Sequence, residues 1–307
     1  MNVVILGSGA MGCRFGVALQ KAGAEVHLYD IWKEHIAGIQ EKGLKVTDGE
    51  GGEEVIKMQA TDNIADLPVA DVLIIFTKSL YSADALAAAK SIIGENTVAV
   101  TLQNGLGNVE TIQKYAGDKI IAGVTNYASD LLRPGCVELK GSGVTKMMAL
   151  NEGAQPTAQR LAQMLNASGH NCVLSGDVFV DIWEKVAFNA ALNTVTAITG
   201  LTVGQVGTTP ESNRLIFRIA EEVVRVANAC GVKADLAHVK GVINSVFDPK
   251  MSGDHKTSML QDVILKRKTE IDSICGYVLK EAEKAAIDTP YLESVTALVK
   301  TIEANYR

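Results

Sequence analysis

The sequence predicts an α/β protein in its first half and an all-helical one in its second. Three observations carry this. Short apolar runs alternate with helical patterns from residue 3 to about residue 125, the order that builds a doubly wound parallel sheet. The first run breaks into Gly7-Ser8-Gly9-Ala10-Met11-Gly12, a G-x-G-x-x-G turn between a strand and a helix. Beyond about Asp177 no strand pattern is convincing. The expected organisation is a Rossmann-type dinucleotide-binding domain over residues 1–175, then an all-helical C-terminal domain over 176–307.

Residues 3–7 are continuously apolar, as a parallel strand covered on both faces requires. A helical pattern over 10–22 carries Met11, Phe15, Ala18 and Leu19 and stops at Gly23, a natural C-terminal glycine. The second strand spans 26–30, and the second helix spans 32–42 and ends at Gly43. Residues 72–77 and 98–102 are two further buried strands with an alanine-rich helix over 82–93 between them, and 120–125 is another. Residues 136–140 and 145–150, joined by Gly141-Ser142-Gly143, suggest an antiparallel hairpin. A helix over 156–167 and a short strand over 172–174 close the sheet. Thr209-Pro210-Glu211 and Thr289-Pro290 are helix starts with a capping hydroxyl and proline at the first position.

The totals narrow the class. The chain has 307 residues, 47% hydrophobic and 21% charged, with a net charge of -6; this is ordinary globular composition and argues against nucleic acid as a partner. The longest apolar run, 72–76, is far too short to span a bilayer. Met1-Asn2 leads straight into the first strand, leaving no room for a signal peptide. The five cysteines (Cys13, Cys136, Cys172, Cys230, Cys275) are scattered, which suits reduced thiols in a cytosolic protein. The five histidines are isolated from one another, so no metal site is expected. A soluble, cytoplasmic protein follows.

The glycine turn has a specific physics. Gly7 permits the bend, Gly9 lets backbone N–H groups approach a pyrophosphate, and Gly12 lets the helix pack on the strand. The helix start at Ala10 and Met11 then faces the phosphates with free N–H groups and the positive end of its dipole. The competing explanation is a glycine-rich turn without a ligand, and the strand–turn–helix context weighs against it. Asp30 closes the second strand, where an acid accepts hydrogen bonds from the adenosine ribose and repels a 2′-phosphate. Ile31 follows where an NADP site usually places a basic residue. This favours NADH. Lys33 nearby leaves NADPH as the alternative, and Asp30 as a simple helix start is the other account of that acid.

Two polar constellations stand out in the second half. Lys185, Asn189 and Asn193 recur at i, i+4 and i+8 and so line one helix stripe among small and apolar neighbours. A partly buried lysine there is a candidate proton donor, because burial lowers its pKa toward neutrality; a snorkelling lysine is the alternative. Ser258-Met259-Leu260-Gln261-Asp262 continues to Lys268-Thr269-Glu270-Ile271-Asp272. Asp262 and Glu270 lie two helical steps of four apart and so share a face, and a solvated surface of paired charges is the plainer explanation.

These residues carry a family resemblance. The chain resembles the ketopantoate reductase (2-dehydropantoate 2-reductase) family over nearly its whole length. The resemblance rests on Gly7-x-Gly9-x-x-Gly12, Thr77-Lys78, Asn104-Gly105-Leu106-Gly107, the Lys185/Asn189/Asn193 stripe, Ser258 to Asp262, Thr269 to Asp272 and the Asp288-Thr289-Pro290 start. It implies a Rossmann domain followed by a helical domain, with the active site in the cleft between them. It implies Lys185 as general acid, Asn189 and Asn193 as substrate ligands, Ser258 at the substrate carboxylate and Glu270 at its hydroxyl. Asn104 would sit at the junction of nicotinamide and substrate, and Lys78 near the cofactor. Asp30-Ile31 departs from the family's usual NADPH pattern and looks like its NAD-preferring branch, some of whose members reduce other 2-oxo acids to D-2-hydroxy acids.

The expected activity is hydride transfer from NAD(P)H to the 2-oxo group of ketopantoate, giving (R)-pantoate in the pathway to pantothenate and coenzyme A. An NAD-dependent D-2-hydroxyacid dehydrogenase acting on branched or aromatic 2-oxo acids is the enzyme alternative. A dinucleotide-binding sensor without turnover is the non-enzyme one, and the joint presence of Lys185 and Glu270 weighs against it. The alanine-rich helices suit a homodimer.

Overall fold

The computed structural model describes residues 1–248 and 253–306; positions 249–252 and 307 of the expected helical domain lie outside them. The strands are β1 (Asn2–Leu6), β2 (Glu25–Tyr29), β3 (Leu44–Thr47), β4 (Glu53–Ile56), β5 (Gln59–Thr61), β6 (Ala70–Ile75), β7 (Ile93–Thr101), β8 (Ile120–Thr125), β9 (Ala128–Arg133), β10 (Cys136–Lys140), β11 (Thr145–Ala149) and β12 (Cys172–Leu174). Helices of the first half are α1 (Ala10–Lys21), α2 (Lys33–Lys42), α3 (Ser82–Ala88), α4 (Asn108–Ala116) and α5 (Gln155–Ala167). Those of the second are α6 (Val178–Thr199), α7 (Val203–Thr208), α8 (Pro210–Ala229), α9 (Leu236–Val246), α10 (Ser258–Ile264), α11 (Tyr277–Lys284) and α12 (Pro290–Ala304). Two compact units result: Met1–Gln103 with Asn108–Val178, and Asn104–Gly107 with the chain from Phe179 onward.

The first unit is built on an eight-stranded sheet of order β12-β11-β8-β7-β6-β1-β2-β5. β1 lies in its middle, parallel to β2 and β6, and β11 runs antiparallel to β8. Val3 and Ile5 join one core with Phe15 and Leu19 of α1 and Leu161 and Leu165 of α5. Val4 and Leu6 join another with Leu86 of α3 and Ile112 of α4. Both faces of β1 are therefore covered, which is why its sequence is apolar without alternation. Each fully buried Ile or Leu here contributes about 1.5–3 kcal/mol.

Several local expectations are corrected. Residues 136–140 and 145–150 do not form a hairpin. β10 pairs with β9 and β3 in a separate four-stranded sheet of order β4-β3-β10-β9, whereas β11 joins the main sheet between β8 and β12. The sequence pattern missed β3, β4, β5 and β9: the first three have only three or four residues each, and β9 has no buried residue. Thr209 and Thr289 precede proline-initiated helices without capping them by side chain; Thr209 Oγ1 donates instead to Gln205 O at 3.1 Å.

The second unit centres on α6. Trp183, Val186, Ala187, Ala190, Ala191 and Leu192 form its buried side, packed with Ile219 and Val223 of α8 and Val299 of α12. Alanines at these points let neighbouring helices come close. Among the described residues no helix is long and apolar enough to cross a membrane.

Candidate active site

In the first unit the glycine turn is tightly fixed. Gly7 has φ +93°, and a Cβ there would lie 2.5 Å from Thr77 N. A Cβ on Gly12 would lie 2.1 Å from Gly7 O. Any side chain at either position would force β1, α1 and the Thr77-Lys78 turn apart. Gly9 is different: nothing lies within 4 Å of a Cβ placed on it, so its lack of a side chain serves an approach from outside.

Gly9 also precedes α1, whose start has no side-chain cap and no acid in its first turn. The first-turn N–H groups of Ala10 and Met11 and the positive dipole end are left for an external anion. Ser8 is fully buried, and its hydroxyl finds no partner among the described residues. These features fit the pyrophosphate of a dinucleotide. Asp30 stands directly beneath: Oδ2 accepts Ser8 N–H at 2.9 Å and Oδ1 accepts Trp32 N–H at 3.0 Å. The neighbouring Ile31 is 80% exposed, and it carries no charge to offer a 2′-phosphate.

Lys78 follows β6, the strand beside β1, so it rises next to the glycine turn. Gln103, which the sequence reading passed over, holds this corner. Its Nε2 donates to Thr77 O at 2.6 Å and to Ser82 Oγ at 2.7 Å.

In the second unit Lys185, Asn189 and Asn193 do line one stripe of α6. Both asparagines are buried and Lys185 is half-buried. Burial pulls the Lys185 pKa from 10.5 to about 8, with the nearby Glu270 charge acting in the opposite direction. An ammonium with that pKa gives up its proton readily near neutrality.

Glu270 does not share a helix with Asp262. α10 ends at Ile264, Lys266 adopts φ +51°, and the chain turns before helical structure resumes at Ile271. Asp262 is buried and its Oδ1 accepts from Arg267 Nε and Nη2 at 3.2 and 3.0 Å. It serves the turn; Glu270 lies at the far end of it. The five residues that follow, Asp272–Gly276, form a π-helical turn, a distortion that often marks functional positions.

Two further contacts place the remaining residues. Leu106 N–H donates to Ser273 O at 2.8 Å, and Leu106 packs on the helical core, so the Asn104–Gly107 loop docks beside Glu270. Gly105 sits at φ +88°, and a Cβ there would lie 2.6 Å from the same Ser273 oxygen. Thr257 caps α10 through Leu260 N–H at 3.3 Å and meets Thr196 Oγ1 of α6 at 2.6 Å. This brings Ser258 next to α6 one turn beyond Asn193. No group of three or more His, Cys, Asp or Glu among the described residues could hold a metal ion.

Glu303 is another residue that the sequence reading passed over. It is buried in the last turn of α12, where its Oε1 accepts Thr269 N–H at 2.7 Å and its Oε2 pairs with Lys268 Nζ at 3.1 Å. An acid at the negative end of a helix dipole is unfavourable for the helix; here it fixes the two residues preceding Glu270.

Comparison with known proteins agrees with both halves. The family model described as ketopantoate reductase PanE/ApbA matches residues 3–152, and its C-terminal counterpart matches 177–303. The chain belongs to the ketopantoate reductase family. The 2-dehydropantoate 2-reductase of Lactococcus lactis subsp. lactis is 35% identical over 306 residues, covering 99% of this chain and 98% of that protein. Among solved structures, D-mandelate dehydrogenase with NADH and anilino(oxo)acetate aligns with a TM-score of 0.94 at 33% identity, over 100% of this chain and 99% of the other. A PanE/ApbA family ketopantoate reductase from Ralstonia eutropha aligns at 0.90 and 28% identity, over 100% and 99%. As a ketopantoate reductase family member the chain is an oxidoreductase that uses NAD(P)H.

Proposed function

We propose that this enzyme reduces ketopantoate to pantoate with NADH as its preferred cofactor. The observation that carries the reading is Lys185. It is a lysine in a stripe with two buried asparagines, its pKa is drawn down to about 8, and Glu270 is close enough to oppose that shift. Asn189 and Asn193 present amides that bind and orient the 2-oxo acid, and Ser258 receives its carboxylate. Glu270 accepts the substrate hydroxyl, while Asn104 faces both substrate and cofactor. Gly7, Ser8, Gly9, Ala10, Met11, Gly12, Asp30 and Lys78 hold the dinucleotide, which supplies the hydride when bound. As charge develops on the carbonyl oxygen, the Lys185 ammonium stabilises it and then gives up its proton. The product is a 2-hydroxy acid and Lys185 is left neutral, so the next turnover needs a proton from solvent.

NADH preference rests on Asp30 and Ile31. A carboxylate held by Ser8 N–H and Trp32 N–H cannot turn away from a 2′-phosphate, and Ile31 offers no compensating cation. Paired NADH and NADPH titrations of the wild type and an Asp30→Ala, Ile31→Arg variant test this. Wild type should favour NADH and the variant should lose most of that preference, since arginine pairs with phosphate. A wild-type preference for NADPH would remove Asp30 from its assigned role.

A second reading is favoured by the TM-score of 0.94 to D-mandelate dehydrogenase: a D-2-hydroxyacid dehydrogenase acting on bulkier 2-oxo acids. Steady-state assays with ketopantoate and benzoylformate separate the two. If ketopantoate turns over no better than benzoylformate, the second reading replaces the first.

A further inference from the structure

We infer that His35 is a positioning residue for the dinucleotide, holding the Ser8–Gly9 peptide in the orientation that cofactor binding needs. The inference rests on the dinucleotide binding at the glycine turn, and the experiment below keeps the two apart. His35 lies in the first turn of α2 and is fully buried, an unusual place for an imidazole unless both nitrogens are satisfied. They are. Gly135 N–H, from the turn between β9 and β10, donates to Nδ1 at 3.0 Å. That contact puts the ring proton on Nε2, which donates to Ser8 O at 2.9 Å.

Ser8 is thereby gripped at both backbone groups. Asp30 takes its N–H at 2.9 Å and His35 holds its C=O, with the Cys13 thiol a second, weaker donor to the same oxygen at 3.1 Å. In a trans peptide the carbonyl and the following N–H point in opposite directions. With Ser8 C=O drawn inward to His35, Gly9 N–H is turned the opposite way, and the Cβ position of the same residue has nothing within 4 Å of it. A pyrophosphate needs that N–H already aimed. Burial lowers the His35 pKa, which keeps the ring neutral and preserves its acceptor for Gly135.

The test is a fluorescence titration of NADH into the intact enzyme. His35→Leu removes both hydrogen bonds, and His35→Gln keeps a side-chain N–H able to reach Ser8 O. His35→Asn keeps an acceptor for Gly135 but not the donor to Ser8. A buried carbonyl deprived of its donor costs enough to weaken NADH binding about tenfold in His35→Leu and His35→Asn. kcat at saturating NADH should stay within about twofold, and His35→Gln should recover most of the affinity. Wild-type affinity in a folded His35→Leu or His35→Asn, or equal loss in His35→Gln and His35→Leu, overturns the positioning role. If His35→Leu fails to fold, His35→Asn decides. A wild type that binds neither NADH nor NADPH defeats the cofactor reading itself.

Discussion

Lys185 and Glu270 form an unequal pair, and the inequality can be measured. Replacing Lys185 with alanine should cut kcat by about 10²–10⁴, the usual worth of general acid catalysis, and leave NADH affinity nearly unchanged. An unaltered kcat removes Lys185 from the mechanism. The proposed acid works in its protonated form, so reduction should decline as pH rises through about 8, while oxidation of the hydroxy acid gains. Glu270 raises the Lys185 pKa, so Glu270→Gln should move that decline to lower pH. A decline that stays in place or moves upward rejects the coupling. The Lys185/Asn189/Asn193 stripe was legible in the sequence as i, i+4, i+8 spacing among small and apolar residues, whereas Glu270 read by itself as part of a solvated face and stood out only through the family resemblance. His35, Gln103 and Glu303 were not legible: each works through backbone groups distant in the chain, and no spacing rule connects them.

A brace from α12 governs the segment that bears Glu270. Glu303→Ala leaves Thr269 N–H buried without its acceptor, a cost of about 1–3 kcal/mol. The KM for the 2-oxo acid should rise about tenfold, with NADH affinity within twofold of wild type; an unchanged KM in the folded variant shows that the brace does not reach the site. Element boundaries explain where sequence reasoning succeeded and where it slipped. β1 and α1 were readable because a two-sided apolar strand, a glycine turn and an amphipathic helix follow one another without interruption. Asp262 and Glu270 were set on one helix because eight residues is also two helical steps, and nothing in Leu265-Lys266-Arg267 announces a break at Lys266. The pair 136–140 and 145–150 looked like a hairpin because strand pattern and glycine turn agree locally, but β10 folds back onto β9 on its other side and adds β3, while β11 pairs with β8.

Across the first unit, a ring stack joins parts far apart in the chain. His170 lies 4.6 Å from Phe15 of α1 and 4.0 Å from Tyr127 beyond β8, and its Nε2 meets Thr145 Oγ1 at 3.1 Å. Burial, with Arg14 adding to it, lowers the His170 pKa from 6.5 to about 4. The folded value lies below the unfolded one, so the neutral ring stabilises the fold above pH 6.5, and that contribution is lost as pH falls through 4. The loss is about 3 kcal/mol at most. Chemical denaturation between pH 7 and 4 should show a shallower decline for His170→Gln than for wild type; parallel curves exclude the ring as a source of acid lability. The βαβ order made the parallel sheet legible, whereas the second sheet escaped because its strands come from two separated stretches, 44–56 and 128–140. One arrangement bears on how the molecule is made. Asn104–Gly107 interrupts the first unit but belongs to the second, and Leu106 finds its partner, Ser273, about 170 residues later. At ribosomal speeds of about 5–20 residues per second, that loop waits roughly 8–30 seconds on the nascent chain while β8 and the rest of its sheet are already available to assemble. The loop that carries Asn104 is the first part of the proposed substrate site to be synthesised, and it must be among the last to be set.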